Sequence, residues 1–434
     1  MKEKLKSNLR TENDRAWYRF FENRDFFEVL TSNKEIIVSS TDLKKYGGRE
    51  PRLMAKIDTR EELPSIFKKF NISLLPIQNK QYLLFIDDSK NLFYDFPILK
   101  TPVITKFPNA TISNLETLQE RHISSESKAL DFAYIASILK TFTGEDNLWL
   151  TIRGRQYSSN FDLIIPALNR TQTISSTQIE VDAGYESNDA IYLIEAKMGN
   201  RTNFNVRQLL FPYLNWSSKT KKQVVPVFFT FSNGVYTIHE FKFSNILGDT
   251  SILRTSSYAL ADSKITLQNL MDIFKQCPES DIYNPQVPFP QANDINKVID
   301  TVTVIDQGIN SKVELASHFE FDPRQADYYA NAALFLGFIK RGDEGFELTK
   351  IGTELTQETS RAQRVLKIFN RMSKIQVLRP VIQQFLSNGM DEQAIDYNAF
   401  IKNLEKYYSL RNTTPRRRIS TVKTWLIWIK EGLS

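Results

Sequence analysis

"QIEVDAGYESNDAIYLIEAKMGN", residues 178–200, places acids and a lysine inside two short apolar runs, IEVDA and LIEAK. A charge in a buried strand is costly unless a partner or a ligand compensates it. The two-residue period of a strand sets Glu180 and Asp182 on one face of the first run, and Glu195 and Lys197 on one face of the second. With a turn in GYESND the runs pair as a hairpin, and Asp182 and Glu195 converge at one edge of a sheet. Two carboxylates with carbonyl and water oxygens make a hard-oxygen site, which suits Mg²⁺. Lys197 beside them can orient or help deprotonate a water, or stabilise charge on a phosphate. The chemistry this set implies is phosphodiester hydrolysis.

The flanks extend the pattern. SSESKALDFAYIASILKTF reads as a helix N-capped by Ser124 or Ser125, with apolar residues at three-to-four spacing. The runs LWLTIRG and FDLIIPAL read as strands. After the acids, FNVRQLLFPYLNW reads as a helix that Pro212 is expected to bend or end. QVVPVFFTFSNGVYTIHEF closes the segment as a hairpin turning at Asn233-Gly234. This middle segment is therefore α/β.

At these residues the chain resembles the PD-(D/E)xK nuclease superfamily, the core shared by most Type II restriction endonucleases, archaeal-type junction resolvases and several repair nucleases. Asp182 matches the metal aspartate and Glu195-Ala196-Lys197 the (D/E)xK element. Gln208, with Tyr213 nearby, matches a glutamine on the following helix. Val181 stands where the motif's name has proline. The resemblance implies a restriction-endonuclease-like core with a mixed sheet flanked by helices. It also implies Mg²⁺ as cofactor, Asp182 and Glu195 as metal ligands, and Lys197 and Gln208 as further catalytic residues. Glu126, at the start of the preceding helix, is the candidate for a third metal acid; a plain helix-start acid is the alternative. Gln208 could equally stand on a solvated helix face. Glu180 is open between a second ligand and a strand-edge charge, and Glu186 has no assigned place. Arg153 and Arg155 share a strand face before the site, and are open between DNA contact and salt bridges to neighbouring acids.

Downstream, VELASHF, the turn EFD, a helix begun by Pro323 and a tight hairpin between Gly342 and Gly345 follow in the order helix, turn, helix, wing. This resembles a winged helix-turn-helix. Arg324, Gln325 and Tyr328 fall on the first turn of its second helix, the part that meets base edges or phosphates; a protein–protein module is the alternative. In NTTPRRRISTVKTWLIWIKEGLS, Arg416, Arg417, Arg418 and Lys423 crowd the start of a helix, where the dipole favours acids, so an anion such as phosphate is expected there. Trp425 and Trp428 are expected in a core. LRNTTPRRRISTVKTWLIWI, and GGREPRLMAKID near the start with Arg49, Arg52 and Lys56, resemble segments of restriction endonucleases that place a PD-(D/E)xK core before winged-helix units.

Bulk properties set bounds. A chain of 434 residues exceeds one ordinary core, and 41% hydrophobic with 24% charged residues describes a globular protein. Net charge of +6 leans toward a polyanionic partner. Cys277 is the one cysteine, which excludes intrachain disulfides and cysteine zinc sites; His122, His239 and His318 are far apart in sequence. The start MKEKLKSNLRTEND has no apolar leader, and no run of 18 apolar residues occurs, so a cytoplasmic protein without membrane contact is expected.

The expected organisation is an α+β N-terminal domain at 1–116, a candidate for DNA recognition, and the nuclease domain at 117–280. A Pro/Asn/Gln-rich linker leads to a winged helix-turn-helix at 296–360 and a second helical, DNA-binding unit at 361–434. The expected function is Type II restriction: Mg²⁺-dependent, site-specific hydrolysis of double-stranded DNA by a homodimer. The resemblance implies a cognate DNA methyltransferase in the same system. The alternatives are a structure-selective repair or recombination nuclease and a non-catalytic winged-helix regulator.

Overall fold

The structure, a computed structural model, describes residues 9, 11–22, 25–97, 104–107, 115–120, 123–260, 264–277, 287–319, 323–408 and 414–433. His122, the expected turn at 320–322, residues 280–286 of the expected linker and residues 412–413 of the tail lie outside them.

The chain opens with helices α1 (Glu12–Glu22) and α2 (Phe26–Asn33), then β1 (Glu35–Ser39), α3 (Ser65–Phe70), β2 (Ile72–Gln78) and β3 (Gln81–Ile86). The strands form an antiparallel sheet in the order β1-β3-β2. The aromatic run of α1 supplies its core: Trp17 is fully buried and its indole N–H donates to the Met54 carbonyl at 3.0 Å.

The middle of the chain builds a seven-stranded mixed sheet. Its elements are β4 (Phe93–Asp95), β5 (Ile104–Phe107), α4 (Glu126–Ile135), α5 (Ile138–Thr143), β6 (Trp149–Tyr157), β7 (Phe161–Ile165), β8 (Arg170–Ile174), β9 (Gln178–Glu186), β10 (Ala190–Met198), β11 (Asn203–Asn205), α6 (Arg207–Ser217), β12 (Gln223–Ser232), β13 (Val235–Phe243) and β14 (Thr250–Leu260). The order across the large sheet is β5-β14-β13-β12-β10-β9-β6. β10 pairs parallel to β12 through the crossover helix α6, and β14 pairs parallel to β5; the other neighbours are antiparallel. Ser125 is the N-cap of α4, its hydroxyl accepting the Lys128 N–H. Asn233 and Gly234 both take positive φ, 46° and 74°, at the β12–β13 turn, as a two-residue primed turn requires.

Of the two effects expected of Pro212, ending α6 does not occur: the helix runs on to Ser217. Proline removes one hydrogen bond from the ladder, and burial of Leu209, Leu210, Phe211 and Pro212 holds the helix in place.

The sheet is covered on both faces. On one side α4 and α5 pack through Leu130, Phe132, Leu139 and Phe142 onto Tyr185, Ile194, Phe229 and Tyr236. On the other, α6 and the N-terminal segment share a single core that runs from Trp17 and Phe67 to Phe204, Phe211 and Phe228.

The remainder is α-rich: α7 (Leu267–Gln276), α8 (Ile295–Asp306), α9 (Lys312–His318), α10 (Pro323–Leu336), the β15 (Ile339–Arg341) and β16 (Phe346–Leu348) hairpin, α11 (Lys350–Thr356), α12 (Arg361–Ser373), α13 (Arg379–Ser387), α14 (Asn398–Tyr408) and α15 (Thr414–Glu431). Residues from Ile265 to Ile429 share one continuous core. Leu270 of α7 belongs to it, although α7 precedes position 280, and the core does not divide at 360. Trp425 and Trp428 are buried in it, as expected.

This helical region is bonded to the sheet. Ser232 and the Asn233 N–H both donate to the Asp300 carboxylate, at 2.6 and 3.1 Å, and Arg364 donates to the Asn233 side chain at 2.9 Å. Arg201, just past β10, donates to the Phe319 carbonyl at the end of α9. Among the described residues no helix is long and apolar enough to cross a membrane.

Candidate active site on strands β9 and β10

All nine residues of β10 are buried, Glu195 and Lys197 among them. The antiparallel register pairs Ile191 with Glu186 through to Ile194 with Ala183; one step further would set Glu195 against Asp182. There the ladder gives way to a side chain: Asp182 Oδ2 accepts the Ala196 N–H at 2.7 Å.

A bulge explains why Asp182 is free to do this. Between the pairs Ile152–Gly184 and Gly154–Val181, β9 advances three residues while β6 advances two. Asp182 and Ala183 thus stand together opposite Arg153. The alternation is reset at this point: Ile179 and Val181 pack in clusters with α6, whereas Ala183 and Tyr185 pack beneath α4. Such bulges re-aim a side chain and leave a backbone group to be satisfied elsewhere. Arg153 Nε donates to the displaced Asp182 carbonyl at 3.1 Å, and its Nη2 to Asp131 of α4 at 2.8 Å.

Lys197 Nζ lies 3.0 Å from Glu195 Oε1, and Gln208 of α6 donates to the same oxygen at 2.8 Å. The other amide atom, Gln208 Oε1, is buried without a hydrogen-bond partner. Burial pushes Glu195 up to about 8, with Asp182 and Asp58 adding to the rise and Lys197 opposing it. Burial pushes Asp182 up to about 6, against the Ala196 N–H and Lys197, and Glu126 and Glu180 add to the rise. The site therefore holds more buried negative charge than its lysine balances.

That imbalance is what a divalent cation relieves, and the donors present are all oxygen: Asp182, Glu195 and the open Gln208 carbonyl oxygen. The set fits Mg²⁺, a hard ion that takes one or two carboxylates and keeps several waters. Glu126 acts on Asp182 through its charge but does not close a three-acid cage. Among the described residues no group of three or more His, Cys, Asp or Glu side chains is arranged to hold a metal. His239 stays apart from the acids, buried against Thr255 and pushed down to about 4 by that burial.

The remaining candidates fall as follows. Arg155 pairs with Glu180 across β6 and β9 at 3.0 Å, both exposed, and Glu186 pairs with Lys222. For Arg153, Arg155 and Glu180 the salt-bridge arrangement is thus the one present. Arg52 is exposed on a short helix, Pro51–Ala55, while Arg49 is half-buried with its Nε unpartnered. Arg324 and Tyr328 are exposed on α10 and Gln325 is half-buried; Arg416 and Arg417 are exposed on α15, and Arg418 and Lys423 are half-buried.

Two features escaped the sequence reading. One is Asp58, buried, whose charge reaches Glu195 and whose carbonyl accepts the Asn205 N–H at 2.8 Å. An acid closing the apolar run in LMAKID was the available signal. The other is the pair Arg153–Asp131, which anchors the bulge.

Three family models match the chain, each described as a domain of unknown function: DUF6996 over residues 14–84, DUF6997 over 88–259 and DUF7226 over 297–433. Asp182, Glu195, Lys197 and Gln208 all lie within the second. No curated protein and no solved structure matches the chain.

Proposed function

We propose that this chain is a Mg²⁺-dependent endodeoxyribonuclease of the Type II restriction class, acting on double-stranded DNA as a homodimer. The observation that carries the reading is the bonded set Asp182–Ala196, Glu195–Lys197 and Glu195–Gln208, buried across two strands next to a βαβ crossover. The order helix, three antiparallel strands, crossover helix, parallel strand (α4, β6, β9, β10, α6, β12) within a mixed sheet flanked by helices supports the same reading.

Asp182 and Glu195 would hold Mg²⁺, which supplies Lewis-acid activation of water and neutralises phosphate charge. Lys197 is held by Glu195 at a fixed position, where its ammonium can stabilise charge developing on the phosphate. Gln208 fixes the Glu195 carboxylate. Arg153 fixes the bulge and therefore the reach of Asp182. Placing the site in a dry strand strengthens each of these interactions.

A homodimer would supply one site for each of the two antiparallel strands, where a monomer would have to use one site twice, and a DNA methyltransferase of matching specificity would protect the host. The test is digestion of unmethylated phage DNA with Mg²⁺, followed by sequencing of the ends. Defined ends at one recurring sequence are expected. Breaks confined to branched DNA would instead make it a structure-selective nuclease.

A further inference from the structure

Helices α10 and α15 approach one another at two points. Phe335 and Trp425 pack with ring centroids 6.3 Å apart. Seven residues earlier on each helix, Tyr328 and Arg418 lie within electrostatic reach of one another. Two meeting points displaced by the same two turns in the same sense on both helices mean that the helices run the same way. Ala326, Ala330 and Ala333 of α10 and Val422 and Trp425 of α15 belong to the same buried core. Parallel helices bring their N-terminal ends to one side of the molecule. The positive ends of two helix dipoles are therefore neighbours.

The sequence adds charge of the same sign. Neither helix has an acid in its first turn. Arg416 and Arg417 are exposed, and Arg418 is half-buried with Nε unpartnered. Among the described residues none of these three arginines forms an ion pair or a side-chain hydrogen bond. Asp327, the acid nearest on α10, is taken by Lys312 of α9. Along α15, Arg416, Ser420 and Lys423 continue the accessible row at i, i+4 and i+7. Three adjacent cations at a helix start repel one another and oppose the dipole, so the face favours a polyanion with evenly spaced charges.

We propose that the starts of α10 and α15 form one composite face for double-stranded DNA. The first turn of α10 enters a groove, and Arg416, Arg417 and Arg418 hold the backbone phosphates beside it. This rests on the DNA-directed reading above for the identity of the polyanion, but not on the chemistry of the β9–β10 site. The surface differs from a lone helix-turn-helix in that half of it comes from residues some ninety positions downstream in the chain, brought there by the core that α10 and α15 share.

The test is binding of the full chain to a labelled mixed-sequence duplex without divalent cation, titrated with salt. The proteins compared are the wild type, R416A/R417A, R416A/R417A/R418A and R416K/R417K/R418K. Each phosphate that the protein no longer neutralises makes the plot of log K against log salt shallower by about 0.9. The double variant, altered only at exposed positions, is expected to neutralise roughly two phosphates fewer by that measure. Its affinity is expected to fall about tenfold or more near 0.15 M salt, roughly the physiological strength. The lysine variant should keep the slope. Wild-type affinity and slope in R416A/R417A would overturn the composite face while leaving the nuclease reading intact. A wild-type chain that ignores DNA but binds polyglutamate would make the partner an acidic protein, and would overturn both.

Discussion

Glu195 and Lys197 sit in a strand buried along its whole length, whereas Arg416 and Arg417 stand in water at the first turn of the last helix. The two places handle charge in opposite ways. At the first, carboxylates have been taken out of water beyond what one lysine compensates, so their ordinary ionisation is suppressed. Such an arrangement is costly to the fold, and on the proposed reading a bound cation would offset that cost. At the second, cations remain hydrated, cost the fold little, and would act on a polyanionic partner through the release of its counterions. Buried charge should therefore govern rate and metal binding. Exposed charge should govern affinity and its dependence on salt.

The largest expected effect lies on the buried side. Lys197→Ala should lower Mg²⁺-dependent cleavage by about 10²–10³-fold, the loss typical of removing one preorganised charge-stabilising donor, with the salt slope of DNA binding unchanged. Single-turnover cleavage and anisotropy titration on the same preparation check both halves. A variant that loses affinity and rate together would erase the distinction between the two regions.

The second effect is on stability. Mg²⁺ at a hundredfold excess over its dissociation constant would stabilise the wild type by roughly 2.7 kcal/mol, read as a rise in Tm. Glu195→Gln keeps the size of the side chain and an oxygen for Gln208, and should remove that rise while leaving the metal-free Tm equal or higher. An undiminished rise in the variant would place the metal elsewhere. R416A/R417A should keep the full rise.

The smallest effect concerns the junction between the regions. Asp300 is half-buried, and its loss of water contact raises it from the ordinary 3.8 to about 7. Between those values the unfolded chain has released a proton that the folded chain retains. Stability therefore falls as pH rises from about 4 to about 7, and is level above. Asp300→Asn removes the group and should flatten this part of the Tm–pH curve by a few degrees. Equal slopes in wild type and variant would show that Asp300 ionises freely.

The acids were legible because Asp182, Glu195 and Lys197 interrupt apolar runs, and a charge in an apolar strand announces itself. The hairpin at Asn233-Gly234, the cap at Ser125 and the burial of Trp425 and Trp428 were legible from local rules for the same kind of reason. The bulge at Asp182 was not. It depends on how β9 pairs with β6, and the only marks it leaves in the sequence are the in-strand glycines of the two flanking pairs, Gly154 (φ 92°) and Gly184. Pro212 does not end α6, since its local effect is outweighed by the packing around it. The N-terminal segment read as a separate α+β unit, yet Trp17 and Phe67 share a core with Phe204 and Phe228 of the sheet. Its Asp58 acts on Glu195, a tertiary relation that no spacing in the chain encodes. The parallel seating of α10 and α15 is of the same kind, since it rests on the packing of Phe335 against Trp425 across the fold.

The most direct measurement compares the wild type and Glu195→Ala side by side on unmethylated duplex DNA with Mg²⁺, reading strand breaks and DNA binding from the same samples. The account predicts breaks with defined ends from the wild type, and none from the variant at undiminished binding. Breaks made equally by both, or no Mg²⁺-dependent break from the wild type, would contradict the assignment of β9 and β10 as a nuclease site.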